Sequence, residues 1–234
     1  MDTEALATAL LRPLAYAALI GLALAPLERV IPLRASTRRS FGLDAGFATL
    51  GGIAVELLQW VVGGALLALA DRVGDHGPLH AMPALPRLVL ALVIFELGGY
   101  SYHRLAHAWA PLFALHRVHH TSESMDWLAG FRQHPLEIAL MTLFSNLPLV
   151  LLGMPLGAHA VVVVLLRIHT IFVHSNVRTP RALERVLATP RFHHRHHDRD
   201  GHHTNFASVF PWIDRLFGTH DARDGERFGI APPG

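Results

Sequence analysis

The stretch LVLALVIFELGGYSYHRLAHA, residues 88–108, joins an apolar segment directly to a pair of histidines. Within residues 88–102 the only charged side chain is Glu96. His103 and His107 follow at a spacing of four residues, which places both imidazoles on the same face if the helix continues. We therefore expect a helix that crosses a membrane and presents a metal-binding pair at its end.

Four further apolar stretches accompany this one, and a membrane-spanning helix needs about 20 mostly apolar residues. The five stretches cover residues 5–27, 42–70, 88–102 with a helical continuation to 109, 138–152 and 158–173. The last two are short and flank a Pro-Gly turn at residues 154–157, so they form either a re-entrant hairpin or two tilted spans. We expect an all-α integral membrane bundle of about four spans with a cytoplasmic, histidine-rich helical cap.

The composition agrees with a membrane protein. Of 234 residues, 51% are hydrophobic and 16% are charged, whereas soluble domains carry about 25% charged residues. The absence of cysteine excludes disulfides, cysteine-ligated zinc, iron–sulfur clusters and thiol catalysis. No basic run with interleaved aromatics supports nucleic-acid binding.

Arginine is distributed unevenly between the loops. Residues 28–40 and the segment after Val177 are arginine-rich, whereas residues 71–87 balance two arginines with two aspartates. Because positive loops stay on the cytoplasmic side, we expect the first two regions inside and the third outside. The expected location is a bacterial inner membrane, with the active site at the cytoplasmic face.

Histidine forms three boxes among its 18 residues. H-x-x-x-H covers residues 103–107, and H-x-x-H-H occurs at residues 116–120 and again at 193–197. The boxes supply two, three and three imidazoles, whereas a zinc site takes four ligands at most, so the number fits two metal ions. Imidazole suits zinc, iron, copper and nickel, and carboxylates are sparse nearby.

Histidine-rich membrane proteins of two other classes differ from this pattern. A histidine-rich metal transporter or sensor needs polar ligands near the midplane of its spans, and the apolar stretches here have almost none. A membrane zinc hydrolase needs three ligands, an open position and a glutamate base, and the chain contains no H-E-x-x-H.

The order of the three boxes across apolar spans resembles the fatty acid hydroxylase / sterol desaturase superfamily of membrane di-iron oxygenases. The resemblance covers about residues 85–220 and includes further short motifs. These are RQHPLE at 132–137, HSNV at 174–177, TPRFH at 189–193, Asn205-Phe206, and WIDRLFGT at 212–219. Ile213 is inserted relative to the family's W-D form, and Ala207 stands where glycine is common.

The resemblance implies O₂-dependent oxidation of an unactivated C–H bond. Hydroxylation or desaturation of a lipid-like substrate, such as a fatty acyl chain, a sterol or a carotenoid, is expected. The implied cofactor is two iron ions, and zinc can replace them during purification because imidazole sites accept it. No fused cytochrome b5-like or ferredoxin-like segment is present, so we expect a separate electron donor of that kind.

The expected domains are N-terminal membrane helices at 1–84, a fatty acid hydroxylase-like catalytic domain at 85–220 and a C-terminal tail at 221–234. We expect eight histidines to bind metal and carry catalysis: His103, His107, His116, His119, His120, His193, His196 and His197. Three more are candidate ligands: His134, His169 and His174. Side chains expected to support the ligands, by holding imidazole N–H groups, are Asp126, Glu137, Asn176, His194 and Asp214. His202 and His203 are expected at the surface.

Overall fold

The computed structural model describes residues 3–35, 41–201 and 203–230, and in these ranges the chain is helical. The α-helices are α1 Thr3–Val30, α2 Phe41–Gly46, α3 Gly52–Val73, α4 Ala84–Ala108, α5 Ala110–His120, α6 Pro135–Leu151, α7 Leu156–His174, α8 Pro190–His197 and α9 Pro211–Phe217. A π-helical turn, Phe47–Gly51, joins α2 to α3, and short 3₁₀ turns occur at Gly74–His76, Ala129–Phe131 and Arg181–Arg185.

Within the described ranges, four helical segments are long and apolar enough to cross a membrane, which confirms the prediction of about four spans. They are Leu10–Val30, Phe41–Val73, Ala84–Ala108 and Gly157–His174, and α6 is a shorter apolar helix. Large apolar side chains point outward from these segments, including Leu19 at 67% and Leu22 at 75% exposure. A membrane helix turns such residues towards lipid, so their exposure agrees with an intramembrane position.

Helix α6 packs against both α3 and α4. At Gly98 in α4 a Cβ atom would lie 2.9 Å from Ser145 Cα, so glycine permits the close approach of the two backbones. On the other side, the Gln59 amide of α3 donates a hydrogen bond of 2.8 Å to the Thr142 hydroxyl of α6. Small residues and interhelical hydrogen bonds therefore both hold the centre of the bundle together.

The turn between α6 and α7 lies beside the connection between α3 and α4. Leu79 N–H donates to the Leu152 carbonyl at 3.0 Å. Gly153 has a φ of 72°, and its backbone lies so close to Gly77 that a Cβ there would be 2.6 Å from the Gly77 Cα. The α6–α7 turn therefore lies at the same end of the bundle as the α3–α4 connection.

The opposite end of the bundle carries the histidine-rich cap, and α1 is tied to it. The Glu28 carboxylate near the end of α1 accepts hydrogen bonds from the backbone N–H groups of Trp127 at 2.7 Å and Asn176 at 2.9 Å. Pro32 and Val177 then form an isolated antiparallel bridge. The N-terminal helix is thus a structural part of the cap.

Candidate metal centre

Nine buried histidines form two groups at this end of the bundle, and none is more than 7% exposed. In each group one nitrogen atom from every residue lies within 4.8 Å of all the others. The first cluster comprises His103, His107, His116, His120 and His196. The second cluster comprises His119, His174, His193 and His197. All eight histidines of the three boxes are included, together with His174.

The boxes on α5 and α8 divide their ligands between the clusters in opposite ways. On α5, His116 and His120 are four residues apart and share a face towards the first cluster, while His119 points to the second. On α8, His193 and His197 have this spacing and face the second cluster, while His196 joins the first. Each of these two boxes therefore contributes two ligands to one cluster and one ligand to the other.

Backbone carbonyls fix the orientation of four of these rings. Each of the four donates its Nδ1–H to a carbonyl, which leaves the Nε2 lone pair free to bind a cation. The pairs are His103 with Phe206 at 2.7 Å, His119 with Arg132 at 3.0 Å, His174 with Thr170 at 2.6 Å, and His196 with Thr204 at 2.8 Å. A fifth ring, that of His116, has its Nδ1 against the Glu137 carboxylate.

The arrangement fits metal ions and does not fit a hydrogen-bonded histidine core. His119 and His174 both use their ring proton on a carbonyl, yet their Nε2 atoms are 2.9 Å apart. Burial, reinforced by the neighbouring imidazoles, holds the pKa of His119 well below its ordinary value, which favours the neutral ring. Two nitrogens that bind one metal ion at about 2.0–2.1 Å each would lie at most about 4.2 Å apart, and the Nε2 atoms of His119 and His174 meet this limit. A bound cation relieves the repulsion between the two lone pairs.

Two buried carboxylates hold the loop that orients His103. Asp214 accepts hydrogen bonds from the backbone N–H groups of Phe206 at 2.8 Å and Ala207 at 2.9 Å. Asp214 therefore acts on His103 through the Phe206 carbonyl. Glu96, in the middle of α4, accepts from the Val209 N–H at 2.7 Å. Glu96 belongs to no histidine motif and was missed as a functional residue, although a lone carboxylate inside an apolar segment indicates a buried polar partner.

An ion pair from the N-terminal helices also supports the centre and was missed in the sequence. The Asp44 carboxylate in α2 accepts from Arg132 Nε at 2.6 Å, and both side chains are at most 2% exposed. Arg132 also donates to the Thr121 hydroxyl at 3.1 Å, directly after α5. Since the Arg132 carbonyl binds His119, this pair connects α2 to the second cluster. The available signal was Asp44 as a break in an apolar stretch.

Two of the candidate ligands lie outside both clusters. His134 caps the N-terminus of α6, and its Nδ1 accepts the Leu136 N–H at 3.2 Å. His169 precedes His174 by five residues on α7, a rotation that turns it about 140° away from the cluster-facing side. Its ring lies against Phe172, with a centroid distance of 5.8 Å. These positions do not support either residue as a ligand.

Three of the predicted supporting residues bind backbone groups around the centre. Asp126 accepts from the backbone N–H groups of Leu128 and Ala129. Asn176 exchanges two hydrogen bonds with the backbone of Arg34. His194 contacts the carbonyl of His174 at 3.1 Å, which places it directly behind a ligand of the second cluster. Asp126 and Asn176 thus shape the loops around the centre.

Two further histidines, His202 and His203, follow the third box in the sequence. His203 is exposed, and its ring centroid lies 5.9 Å from that of His107. His202 lies outside the described residues.

Comparison with known proteins gives a consistent result. The sequence model of the fatty acid hydroxylase family matches residues 88–219. The chain is 32% identical over 142 residues to alkylglycerol monooxygenase of Homo sapiens, covering 59% of this chain and 32% of that protein. It is 31% identical over 137 residues to an ornithine lipid hydroxylase of Rhizobium tropici, covering 57% and 41%. It is 33% identical over 140 residues to methylsterol monooxygenase 1 of Rattus norvegicus, covering 58% and 46%.

The matched region thus spans less than half the length of each of these relatives. No solved structure matches the chain significantly. The family match covers more than half of the chain and includes all nine clustered histidines: the eight of the three boxes and His174. With its four candidate spans, this chain is an integral membrane protein that belongs to the fatty acid hydroxylase family.

Proposed function

We propose that the protein is a membrane-bound, O₂-dependent hydroxylase of a lipid, with one iron ion in each histidine cluster. The observation that carries this proposal is the pair of buried clusters in which neutral imidazoles converge on two points. Iron follows from the family, whose resemblance implies a di-iron centre. Imidazole ligands are suited to iron, zinc, copper and nickel alike, so metal identity needs its own measurement.

The reaction balances as R–H + O₂ + 2 e⁻ + 2 H⁺ → R–OH + H₂O. When bound, the metal ions supply O₂ reduction and C–H oxidation, which no side chain performs alone. The protein's own groups hold the ligands: the carbonyls of Phe206 and Arg132 keep the Nδ1–H tautomer of His103 and His119. Burial of the clusters keeps bulk water away from the reacting atoms.

The position of the clusters supports a lipid substrate. His103 and His107 lie in the last turns of α4, and His174 is the last residue of α7. Both helices are candidate membrane spans, so a substrate that diffuses in the bilayer reaches the centre without crossing bulk water. The named relatives act on an alkylglycerol, an ornithine lipid and a methylsterol. We propose a membrane lipid with a long or bulky apolar part.

We further propose that the centre faces the cytoplasm of a bacterial cell from the inner membrane. Helices α1, α4 and α7 end near the cap, and the arginine-rich residues after Val177 lie on the same side. The two electrons then come from a separate soluble or membrane-attached carrier, such as a cytochrome b5-like or ferredoxin-like protein.

The decisive experiment combines metal analysis with isotope labelling. Full-length protein purified without oxygen is analysed for metals, and cells with and without the gene are grown under ¹⁸O₂ before their lipids are compared. We expect iron in the protein and a lipid that gains one ¹⁸O atom only when the gene is present. A single zinc per chain and no labelled lipid under any condition contradicts the proposal.

A further inference from the structure

Helix α9 exposes an apolar face outside the metal centre. Trp212 is 38% and Leu216 is 66% exposed, and their spacing of four residues places them on one face. Phe217 beside them is 47% exposed. Ile213 and Asp214, on the other face, are fully buried. A contiguous apolar patch on the outer side of a helix indicates a surface that contacts a partner or a membrane.

The exposed face continues onto the neighbouring turn. Arg215 of α9 donates to the carbonyls of Glu184 at 2.8 Å and Arg185 at 3.3 Å, which binds the helix to the Arg181–Arg185 turn. Val186 directly follows that turn and is 62% exposed. Arg185 and Arg215 are themselves exposed, so positive charge borders the apolar surface.

The depth of α9 is set by its contacts with α4, a candidate span. Phe217 stacks on Tyr100 with a centroid distance of 5.2 Å, and Tyr100 is hydrogen-bonded to Thr219 at 2.9 Å. Tyr100 lies eight residues before the end of α4 at Ala108, or about 12 Å along the helix axis. Amphipathic helices in a membrane interface bury their apolar faces about 5–10 Å into the headgroup and acyl boundary.

We propose that α9 and Val186 form a membrane-embedded surface that seats the cap in the headgroup region of the bilayer the protein spans. Trp212 and Leu216 enter the acyl boundary, and Arg185 and Arg215 lie at the level of the lipid phosphates. Tryptophan beside basic residues is the composition that membrane interfaces favour. Leu105 and Trp109, at the end of the same helix α4, are also exposed.

This surface is coupled to the metal centre through one side chain. Asp214, on the buried side of α9, binds the backbone N–H of Phe206, whose carbonyl orients His103. The helix thus has one face in lipid and the other on the loop that positions a ligand of the first cluster. The proposal concerns where α9 lies, and it holds whether or not the centre carries iron.

The absence of native cysteine makes a direct test available. Leu216→Cys in the full chain is labelled with a polarity-sensitive bimane and placed in nanodiscs of phosphatidylcholine and phosphatidylglycerol. Lipids with nitroxide at a shallow acyl position are then added as quenchers. Leu19→Cys on α1 is the lipid-facing reference, and Ala222→Cys on the exposed part of the cap is the water-facing reference. Trp212→Cys repeats the measurement if Leu216→Cys does not fold.

We expect the Leu216 label to emit at shorter wavelength than the Ala222 label. We also expect nitroxide lipids to quench it several-fold more strongly, close to the value at Leu19. Weak quenching with water-like emission overturns the proposal. Weak quenching with short-wavelength emission also overturns it, because another protein surface then covers α9.

Discussion

Backbone carbonyls, more than carboxylates, orient the imidazoles of this centre. Among the hydrogen bonds of the described residues, four rings donate Nδ1–H to carbonyls, and the ring of His116 lies against a carboxylate. The ligands themselves were predictable, because the three boxes place histidines at helical spacing on shared faces. Their carbonyl partners were not, because every residue carries a carbonyl and only the fold decides which one reaches a ring. The hydrogen bonds of Asp126 and Asn176 to backbone groups likewise depend on the fold and leave no pattern in the sequence.

His119→Ala should remove metal from the second cluster, while His134→Ala should leave metal content unchanged. The first substitution deletes one of four converging nitrogens, whereas His134 only caps α6. Metal per chain after anaerobic purification measures the difference. Loss of metal in both variants to the same extent contradicts the assignment of His134 to a capping role.

Asp44→Asn should destabilise the protein by about 3–5 kcal/mol, because it leaves the buried Arg132 charge without its carboxylate. The change also loosens the Arg132 carbonyl that orients His119, so metal affinity at the second cluster should fall by roughly 10-fold or more. Thermal unfolding in detergent and metal titration measure the two effects.

Asp71→Asn, at an exposed position of α3, is the matched control for this ion pair. It should change stability by no more than about 0.5 kcal/mol. Equal stability of the Asp44 and Asp71 variants shows that the ion pair does not stabilise the native state.

At the scale of helices, hydrophobic patterning predicted the elements well and their ends less well. The stretch 88–102 with its helical continuation to 109 corresponds to Ala84–Ala108, so its end was predicted within one residue and its start was missed by four. Residues 158–173 correspond to Leu156–His174. The hairpin or two-span choice for the last pair could not be made from sequence, since it depends on whether the α6–α7 turn meets the far end of the bundle. The hydrogen bond from Leu79 N–H to the Leu152 carbonyl places that turn beside the α3–α4 connection.

Gly98→Ala should destabilise the α4–α6 packing by about 1–3 kcal/mol, because the new methyl group overlaps the α6 backbone. Gly63→Ala is the matched control in α3, where nothing lies within 4 Å of an added Cβ. It should be neutral or stabilise by up to about 1 kcal/mol. Unfolding temperatures in the same detergent compare the two. An unfolding temperature of Gly98→Ala at or above that of Gly63→Ala contradicts the tight packing at Gly98.

For the molecule as a whole, the sequence indicated a membrane enzyme with a histidine cap but not how the N-terminal helices bind the cap. Glu28 and Asp44 make these connections across about 90 to 150 residues of sequence. No local pattern encodes such partners. The predicted domain boundaries near residues 84 and 220 stay predictions. Beyond the second, Ile230 N–H donates to the His120 carbonyl at 3.0 Å, so this segment contacts the centre.

Cysteine accessibility should establish the sidedness of the protein. With the cap in the cytoplasm, an impermeant maleimide should label His76→Cys in intact spheroplasts and Ala222→Cys only after the membrane is opened. Both positions are exposed, and they lie at opposite ends of the bundle. The reverse pattern shows that the cap faces outward, without affecting the assignment of the metal ligands.

Helices α5 and α8 each contribute ligands to both clusters, so binding of one metal ion affects binding of the other. Because α5 gives His119 to the second cluster and α8 gives His196 to the first, neither cluster can be assembled from one helix alone. The first ion to bind must draw both helices into place, and the second then finds most of its ligands already ordered. Metal uptake should therefore be cooperative, with half-filled protein scarce at every metal concentration. Sequence changes in either box are likewise felt at both ions, so the two boxes are constrained to change together.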